Sequence, residues 1–281
     1  MPSPSVCEPA QPALRARDAA LAVALALALT VVTAIALVVF GHTAPDPLVL
    51  LATSETSAVL AALLVLRARQ LTLGAAMPMR APHSRALVAA LLLGSGSLLV
   101  SGSLSARLYA TDPAGYASEL TTTLVGFANR LGPLGLLLLL GVLVPLAEEL
   151  LFRGVVLHAL LARFSPASAI LGSAVLFGLY HLHPVHALIT TLLGLACGIA
   201  VWRGGSWWLG VVVHGSNNLI ACRSILGAPL ELGVGWVIPG ALALAVGILL
   251  LSPVRRRHPE SCATPVCASS RSDHPPSNGE S

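Results

Sequence analysis

The chain has little charge and no lysine. Charged residues occupy 10% of its 281 positions, against about a quarter in a typical soluble domain. All 16 basic residues are arginines, and they lie scattered between apolar segments without forming a basic stripe. The net charge of +4 therefore does not indicate a nucleic-acid partner, because arginines that flank membrane helices explain it better.

Cysteine is also scarce, and its spacing excludes the common cysteine-based sites. The five cysteines contain no short paired spacing of the kind that zinc fingers use. Cys197 and Cys222 lie in apolar runs, where a thiol behaves as a small apolar side chain. Cys262 and Cys267 lie in a polar tail. We assign none of them a redox or metal role.

Long hydrophobic runs are abundant, and the mean hydropathy is +0.84. The first run, 19–40, exceeds the apolar core of a signal peptide, which is about 7–15 residues, and predicts an uncleaved span. Since one span needs about 20 residues, the sequence predicts an all-α, polytopic helical membrane protein with about eight transmembrane helices. The predicted spans are 19–40, 48–66, 86–104, 131–162, 167–183, 185–202, 206–224 and 233–252.

The predicted organisation has three parts. Residues 1–18 form a cytoplasmic N-terminal segment, 19–252 form the membrane domain, and the Pro- and Ser-rich residues 253–281 form a disordered cytoplasmic tail. Arginines near the span ends favour cytoplasmic termini. Residues 105–130 are more polar and predict a loop with room for one short helix. The 131–162 stretch is too long for one straight span, which suggests a kink at Pro145.

Two adjacent carboxylates interrupt the apolar sequence. Glu148 and Glu149 lie between the runs 134–147 and 155–161, although a charge at the bilayer centre costs about 2.5–3.5 kcal/mol. Arg153 follows Glu149 by four residues, so the two share a helix face and predict an ion pair. Glu148 then points about 100° away and stays free for chemistry. A helix end at the membrane surface is the alternative interpretation.

Two further apolar segments carry polar residues at the same spacing. Phe177 and His181 are four residues apart, and so are His214 and Asn218, which puts each pair on one helix face. Asn217 is the alternative to Asn218, because a spacing of three shares that face as well. Ionisable residues inside membrane spans are functional candidates by default. The three segments therefore predict one shared polar cavity.

Other polar residues in apolar sequence receive no catalytic role. His183 and His186 follow His181 closely, but Pro184 interrupts the helix there. Both are interpreted as interfacial. Glu55 lies among threonines and a serine, and we expect it near the outer surface of its span.

The three polar segments resemble the signature motifs of the CAAX-protease and bacteriocin-processing (CPBP, or Abi) family. The matching stretches are Glu148–Arg153 (EELLFR), Phe177–His181 (FGLYH) and His214–Asn218 (HGSNN), within a core of about 131–224. The resemblance implies an intramembrane endopeptidase with an all-helical fold, related to the CAAX prenyl endopeptidase.

Catalytic roles follow from this resemblance. Glu148 with His181 would activate a water, and His214 and Asn218 would stabilise the oxyanion. One carboxylate and two histidines also satisfy the usual catalytic zinc site. Zinc bound by Glu148, His181 and His214 and a metal-free glutamate mechanism therefore both stay open.

Glu149, Arg153 and Phe177 would support these catalytic groups. The implied partner is a membrane protein or hydrophobic peptide within the lipid bilayer, and the arginine-only composition favours a bacterial cell membrane. Two other functions stay open, a non-catalytic membrane immunity or scaffold protein and a proton-coupled transporter. The transporter is less favoured, because the chain lacks the internal repeat of many transporters.

Overall fold

A computed structural model describes residues 13–41, 44–110, 115–227 and 231–251. All regular secondary structure in these ranges is helical, without a strand, which confirms the all-α prediction. The predicted disorder of 253–281 lies outside the described residues, and so do Cys262, Cys267 and most of the segment 1–18.

The helices follow the predicted spans closely. The longer ones are α1 (Ala16–Gly41), α2 (Pro47–Ala68), α4 (Ser84–Tyr109), α5 (Tyr116–Leu138), α9 (Pro184–Gly204) and α10 (Trp208–Ile225). The shorter ones are α3 (Leu73–Ala76), α6 (Val144–Glu149), α7 (Leu157–Leu161), α8 (Pro166–Tyr180) and α11 (Val237–Leu250). Two π-helical turns, Leu139–Leu143 and Leu150–Val156, connect α5, α6 and α7 into one continuous helical segment.

The helix lengths and compositions are those of a polytopic membrane protein. In the described ranges, five segments are long and apolar enough to cross a membrane: Ala16–Gly41, Pro47–Ala68, Ser84–Tyr109, Ala117–Leu161 and Pro184–Gly204. Pro166–Tyr180 and Val234–Leu250 are apolar but shorter. The count of eight crossings and the cytoplasmic side of both termini stay predictions, which reporter fusions after residues 45 and 257 can test.

The loop predicted for 105–130 is wrong over most of its length, because α4 continues to Tyr109 and α5 begins at Tyr116. Hydroxyl side chains make the polar part of α5 compatible with a helix. Thr121 Oγ1 donates to the Ala117 carbonyl at 2.8 Å, and the next threonine repeats this bond one residue later. These hydroxyls therefore need no partner outside the helix.

The backbone of the long helical segment leaves the helical conformation at Gly132. Gly132 has φ 71° and ψ 169°, immediately before Pro133. A residue that precedes proline is disfavoured in the α conformation, and only glycine adopts this positive φ without a steric cost. A kink at Pro145, which lies just after a π-helical turn, stays a prediction.

Pro145 follows a π-helical turn that ties the segment to α10. The Val144 N–H bonds the Leu139 carbonyl, five residues back. The Leu140 carbonyl then has no backbone donor, because the residue five positions later is proline, which lacks an N–H. This carbonyl accepts a hydrogen bond from Asn218 Nδ2 at 2.9 Å. The irregular turn therefore creates a fixed attachment point for α10.

The second π-helical turn frees a carbonyl in the same way. The Leu157 N–H bonds the Phe152 carbonyl, five residues back. The Arg153 carbonyl accepts instead from His158 Nδ1 at 2.6 Å. The glutamate pair at 148–149 thus lies between two π-helical turns, a local geometry that is frequent at functional sites.

Small residues let the surrounding helices approach closely. α1 buries alanines 19, 22 and 26, and its neighbour α2 buries alanines 58, 61 and 62. α8 and α9 are so close that a methyl group on Gly194 would lie 3.0 Å from the Ala174 Cα. Such contacts are the usual source of helix association in a membrane. They enclose the central segment that carries Glu148 and Glu149.

Candidate active site

Arg153 is fully buried and has partners on three sides. Its Nη1 donates to Glu149 Oε1 at 2.6 Å, which is the ion pair that the four-residue spacing predicts. Its Nη2 donates to the Gly194 carbonyl on α9 at 2.9 Å. The guanidinium carbon lies 4.7 Å from the centre of the Phe177 ring. Charge-assisted hydrogen bonds and cation–π contacts are stronger away from water, so these contacts hold the arginine firmly.

Glu149 connects this arginine to α10. His214 Nδ1 donates to Glu149 Oε1 at 3.1 Å. A methyl group on Gly210 would lie 2.5 Å from Glu149 Oε2, so α10 presents its glycine to the carboxylate. Trp207 Nε1 donates to the Glu149 backbone carbonyl at 2.9 Å. Because an ionised carboxylate only accepts hydrogen bonds, the contact between His214 and Glu149 assigns a proton to Nδ1 of His214.

Glu148 points away from the ion pair and faces two histidines. Its Oε1 lies 3.9 Å from His181 Nε2, and its Oε2 lies 3.5 Å from His214 Nε2. The first separation is too long for a direct hydrogen bond, and polar groups at such distances are often bridged by water. The structure therefore brings together one carboxylate and two imidazoles from three different helical segments.

His181 ends α8, and its orientation is set by its own helix. Its Nδ1 donates to the Phe177 carbonyl at 3.0 Å. Since a carbonyl oxygen only accepts, the neutral ring carries its proton on Nδ1 and presents a lone pair at Nε2. The Phe177 ring makes edge contacts with both imidazoles, at centroid distances of 5.0 Å to His181 and 5.6 Å to His214. Phe177 thus supports both rings.

The two asparagines of α10 are held by different neighbours. Asn217 Oδ1 accepts from Ser97 on α4 at 3.1 Å, and its Nδ2 donates to Asn218 Oδ1 at 3.4 Å. Asn218 Nδ2 donates one hydrogen to the Leu140 carbonyl. An amide nitrogen carries two hydrogens, so Asn218 retains a second one for a ligand.

A cavity of about 610 Å³ connects these groups. It is lined by Glu148, Phe177, His181, His214, Asn217 and Asn218. Its apolar lining includes Leu98, Leu124, Phe127, Leu140, Leu193 and Ile225. Ligand sites typically have volumes of about 300–1,000 Å³ and combine apolar walls with a few polar groups. The cavity has the size and the lining of such a site.

Several polar residues of the cavity wall were not assigned to the site from the sequence. Glu55 on α2 lines the cavity, and its Oε2 is buried without a hydrogen-bond partner among the described residues. Tyr180 Oη lies 3.3 Å from Ser54 Oγ, beside Glu55. The available signal was a single carboxylate in an apolar run, a weaker signal than the two adjacent glutamates at 148 and 149.

His186 also lines the cavity, although it was interpreted as interfacial. Its ring centroid lies 4.9 Å from that of His181. His183 caps α9, because its Nδ1 accepts from the His186 backbone N–H at 3.4 Å. The histidine cluster therefore joins the end of α8 to the start of α9 next to the site.

Glu148, His181 and His214 provide the donor types of a catalytic zinc site, but they do not converge as a metal ion requires. Across the described ranges, no group of three or more His, Cys, Asp or Glu side chains could hold a metal ion. Metal dependence stays a prediction, and the chemistry below is derived from the side chains themselves.

The fold and the cavity define a polytopic helical membrane protein with a buried acid–base cluster. Residues 130–220 match the family model described as Type II CAAX prenyl endopeptidase Rce1-like. The matched region contains all three polar motifs, and it confirms the resemblance to the CPBP and CAAX-protease family. The chain is therefore similar to this family over residues 130–220. Comparison with characterised proteins and with solved structures found no match.

Proposed function

We propose that the protein is an intramembrane endopeptidase that hydrolyses a peptide bond in a membrane protein or hydrophobic peptide. The supporting observation is the convergence of Glu148, His181 and His214 on one cavity. Peptide hydrolysis needs a base for the attacking water and donors for the developing oxyanion. The match to a protease family supports the same reaction.

Glu148 is the base in this proposal. A water between Glu148 Oε1 and His181 Nε2 would use the 3.9 Å gap between them. The lone pair at His181 Nε2 accepts one hydrogen of this water and orients it. Glu148 takes the other proton as the water oxygen attacks the peptide carbonyl carbon. Both groups are held by their helices before the substrate binds, which lowers the cost of ordering them.

Asn218 and His214 are the candidate oxyanion donors. Asn218 offers the amide hydrogen that the Leu140 carbonyl does not use. His214 already donates from Nδ1 to Glu149, so its Nε2 becomes a donor only when the ring is doubly protonated. Glu148 Oε2 lies 3.5 Å from that nitrogen and can pass on the proton taken from the water. The negative charge of Glu149 then faces a cationic ring.

A direct test uses purified protein in lipid nanodiscs and a panel of membrane-spanning peptides. Cleavage in water labelled with oxygen-18 should introduce the label at the new C-terminus, as mass spectrometry can detect. The Glu148→Gln variant should form no labelled cleavage products. Glu119→Gln is a matched control, because Glu119 lies exposed on α5. A parent protein that cleaves no peptide, under conditions in which it binds them, would support the non-catalytic scaffold or immunity function instead.

Metal content separates the two versions of the mechanism. If zinc supplied the activated water, Glu148, His181 and His214 would bind it. Metal analysis should then find about one zinc per chain, and His181→Ala should lose it. Full cleavage activity after chelation would instead support the glutamate base acting without a metal.

A further inference from the structure

Glu55 is a second carboxyl group in the wall of the same cavity as Glu148. In the described part of the chain, its Oε2 is buried without a hydrogen-bond partner, and no basic side chain pairs with it. Glu149 shows how this protein treats a structural carboxylate, because Arg153 and His214 both donate to its Oε1, although its Oε2 is also buried without a partner in the described part of the chain. Glu55 lacks such partners, so a purely structural role does not explain its burial.

A contact beside Glu55 holds its turn of α2 against the site. Tyr180 immediately precedes His181 in α8, and its hydroxyl lies 3.3 Å from Ser54 Oγ. Ser54 in turn precedes Glu55, and all four of these residues line the cavity. The contact therefore joins the part of α2 that carries Glu55 to the part of α8 that carries a site histidine.

Glu55 and Glu148 are near enough to interact electrostatically. Two carboxylates in one cavity repel each other when both are ionised, so the state in which one of them carries a proton is favoured. Glu148 has two imidazole nitrogens within 3.9 Å that can take up a proton from it, while Glu55 has no neighbouring base among the described residues. Glu55 is therefore the carboxyl group that keeps its proton, and Glu148 is the one that acts as a base.

We propose that Glu55 is the general acid of the site and protonates the leaving amine, while Glu148 acts as the base for water. The inference rests on the proposed peptidase function and adds a catalytic residue to it. It is carried by the unpartnered Glu55 carboxyl in the cavity wall. General acid and base roles are commonly divided between two carboxyl groups whose environments differ.

The proton balance of this scheme closes. The water oxygen forms a bond to the carbonyl carbon, and one water proton moves to Glu148. When the tetrahedral intermediate collapses, the C–N bond breaks and the amine nitrogen takes the proton of Glu55. The products are a carboxylic acid and an amine, with the water proton on Glu148 or on His214 and with Glu55 ionised. Transfer of that proton through the cavity to Glu55 restores the starting state, without any further reactant.

The test compares a peptide substrate with the ester analogue that differs only at the cleaved bond. An alcohol leaving group depends less on protonation than an amine. Glu55→Gln should therefore lower kcat about 10²–10⁴-fold for the peptide but less than about tenfold for the ester, with KM close to the parent's for both. Glu148→Gln should lower kcat for both substrates by similar factors, because both need the activated water.

Control variants separate catalysis from folding. Thr56→Ala changes the next residue of α2, which is exposed, and should leave both rates unchanged. Glu55→Asp keeps a proton donor on a shorter side chain, so it should cleave the peptide faster than Glu55→Gln. If Glu55→Gln does not fold, the peptide-to-ester rate ratio of Glu55→Asp carries the test, and a fall in that ratio below the parent's supports the proposal.

The outcomes distinguish this inference from the proposed function. An active parent with a Glu55→Gln variant that cleaves the peptide normally overturns the role of Glu55 alone. An equal loss on peptide and ester also overturns it, because a general acid for the leaving group affects the two unequally. A folded parent that cleaves neither substrate overturns the proposed function, and the role of Glu55 with it.

Discussion

Glu148 and Glu149 are adjacent in sequence and differ completely in surroundings. Glu149 has zero side-chain exposure and accepts hydrogen bonds from Arg153 and His214. Glu148 has two imidazole nitrogens at 3.5 and 3.9 Å and faces a cavity. One step along a helix rotates the side chain by about 100°. Two identical residues are thereby directed to a packed interior and to a space that admits a ligand.

Under the proposed function, the difference separates a structural charge from a reactive one in the same helical segment. A buried charge is tolerated when its partners compensate the loss of water, and Glu149 has such partners. A reactive carboxylate must keep an oxygen available for water or substrate, and Glu148 makes only long contacts. The number of hydrogen-bond partners therefore distinguishes Glu149 from Glu148, although the two residues are identical and adjacent in sequence.

The largest expected effect is the loss of catalysis when Glu148, which faces the cavity, is replaced. Glu148→Gln preserves the side-chain volume but removes the base, so cleavage should fall about 10²–10⁴-fold or more. The melting temperature should stay near the parent's, because no short hydrogen bond is lost. Initial rates and thermal unfolding in nanodiscs measure both quantities. If Glu148→Gln cleaves normally while a folded Glu149→Gln is inactive, the roles of the two glutamates are reversed.

A loss of stability is expected when the ion pair between Glu149 and Arg153 is broken. Arg153→Ala leaves the buried Glu149 carboxylate without its main partner, which should cost about 3–5 kcal/mol of folding free energy. The yield of folded protein should fall, and activity per milligram of membrane protein should fall with it. Arg163→Ala is the control, because that arginine is exposed. Equal yields for the two variants would contradict the structural role of the pair.

A smaller effect is expected where α10 contacts the paired glutamate. Gly210→Ala would place a methyl group 2.5 Å from Glu149 Oε2 and 3.0 Å from Val201 Cγ2. Overpacking of this kind costs about 1–3 kcal/mol, which should lower the melting temperature. Gly126→Ala provides the control, since nothing lies within 4 Å of its added carbon. A Gly210→Ala protein as stable as the Gly126→Ala protein would show that this contact relaxes freely.

The smallest effect on stability concerns the link between α10 and the first π-helical turn. Asn218→Ala removes the donor for the Leu140 carbonyl, and a lost hydrogen bond of this type costs about 1 kcal/mol. Activity should fall further than stability if the same amide also binds the oxyanion. Asn217→Ala, which loses the Ser97 contact, should affect stability alone. Loss of activity in Asn217→Ala but not in Asn218→Ala would assign the oxyanion role to Asn217.

Much of the fold was predictable because helical periodicity and hydropathy are local properties. The apolar run 19–40 became Ala16–Gly41, and 185–202 became Pro184–Gly204. The prediction failed over residues 116–130, where polarity was taken as a sign of a loop. Hydroxyl groups that bond their own helix, as Thr121 does, give a polar sequence without breaking the helix.

By itself, the sequence determined which polar residues share a helix face. Glu149 and Arg153, and likewise His214 and Asn218, are four residues apart, so the 3.6-residue repeat alone puts each pair on one side. A contact between two side chains of one helix can be predicted without knowing which helices lie next to it. The contact between Glu149 and Arg153 at 2.6 Å follows that local rule.

Only the tertiary structure decided which faces meet. His214 lies between the two glutamates because α10 packs beside the π-helical segment, 65 residues further along the chain than Glu149. Glu55 enters the cavity because α2 lies against that segment as well, and this arrangement cannot be read from its own helix. Contacts between distant helices depend on the packing of all of them together, which local periodicity does not encode.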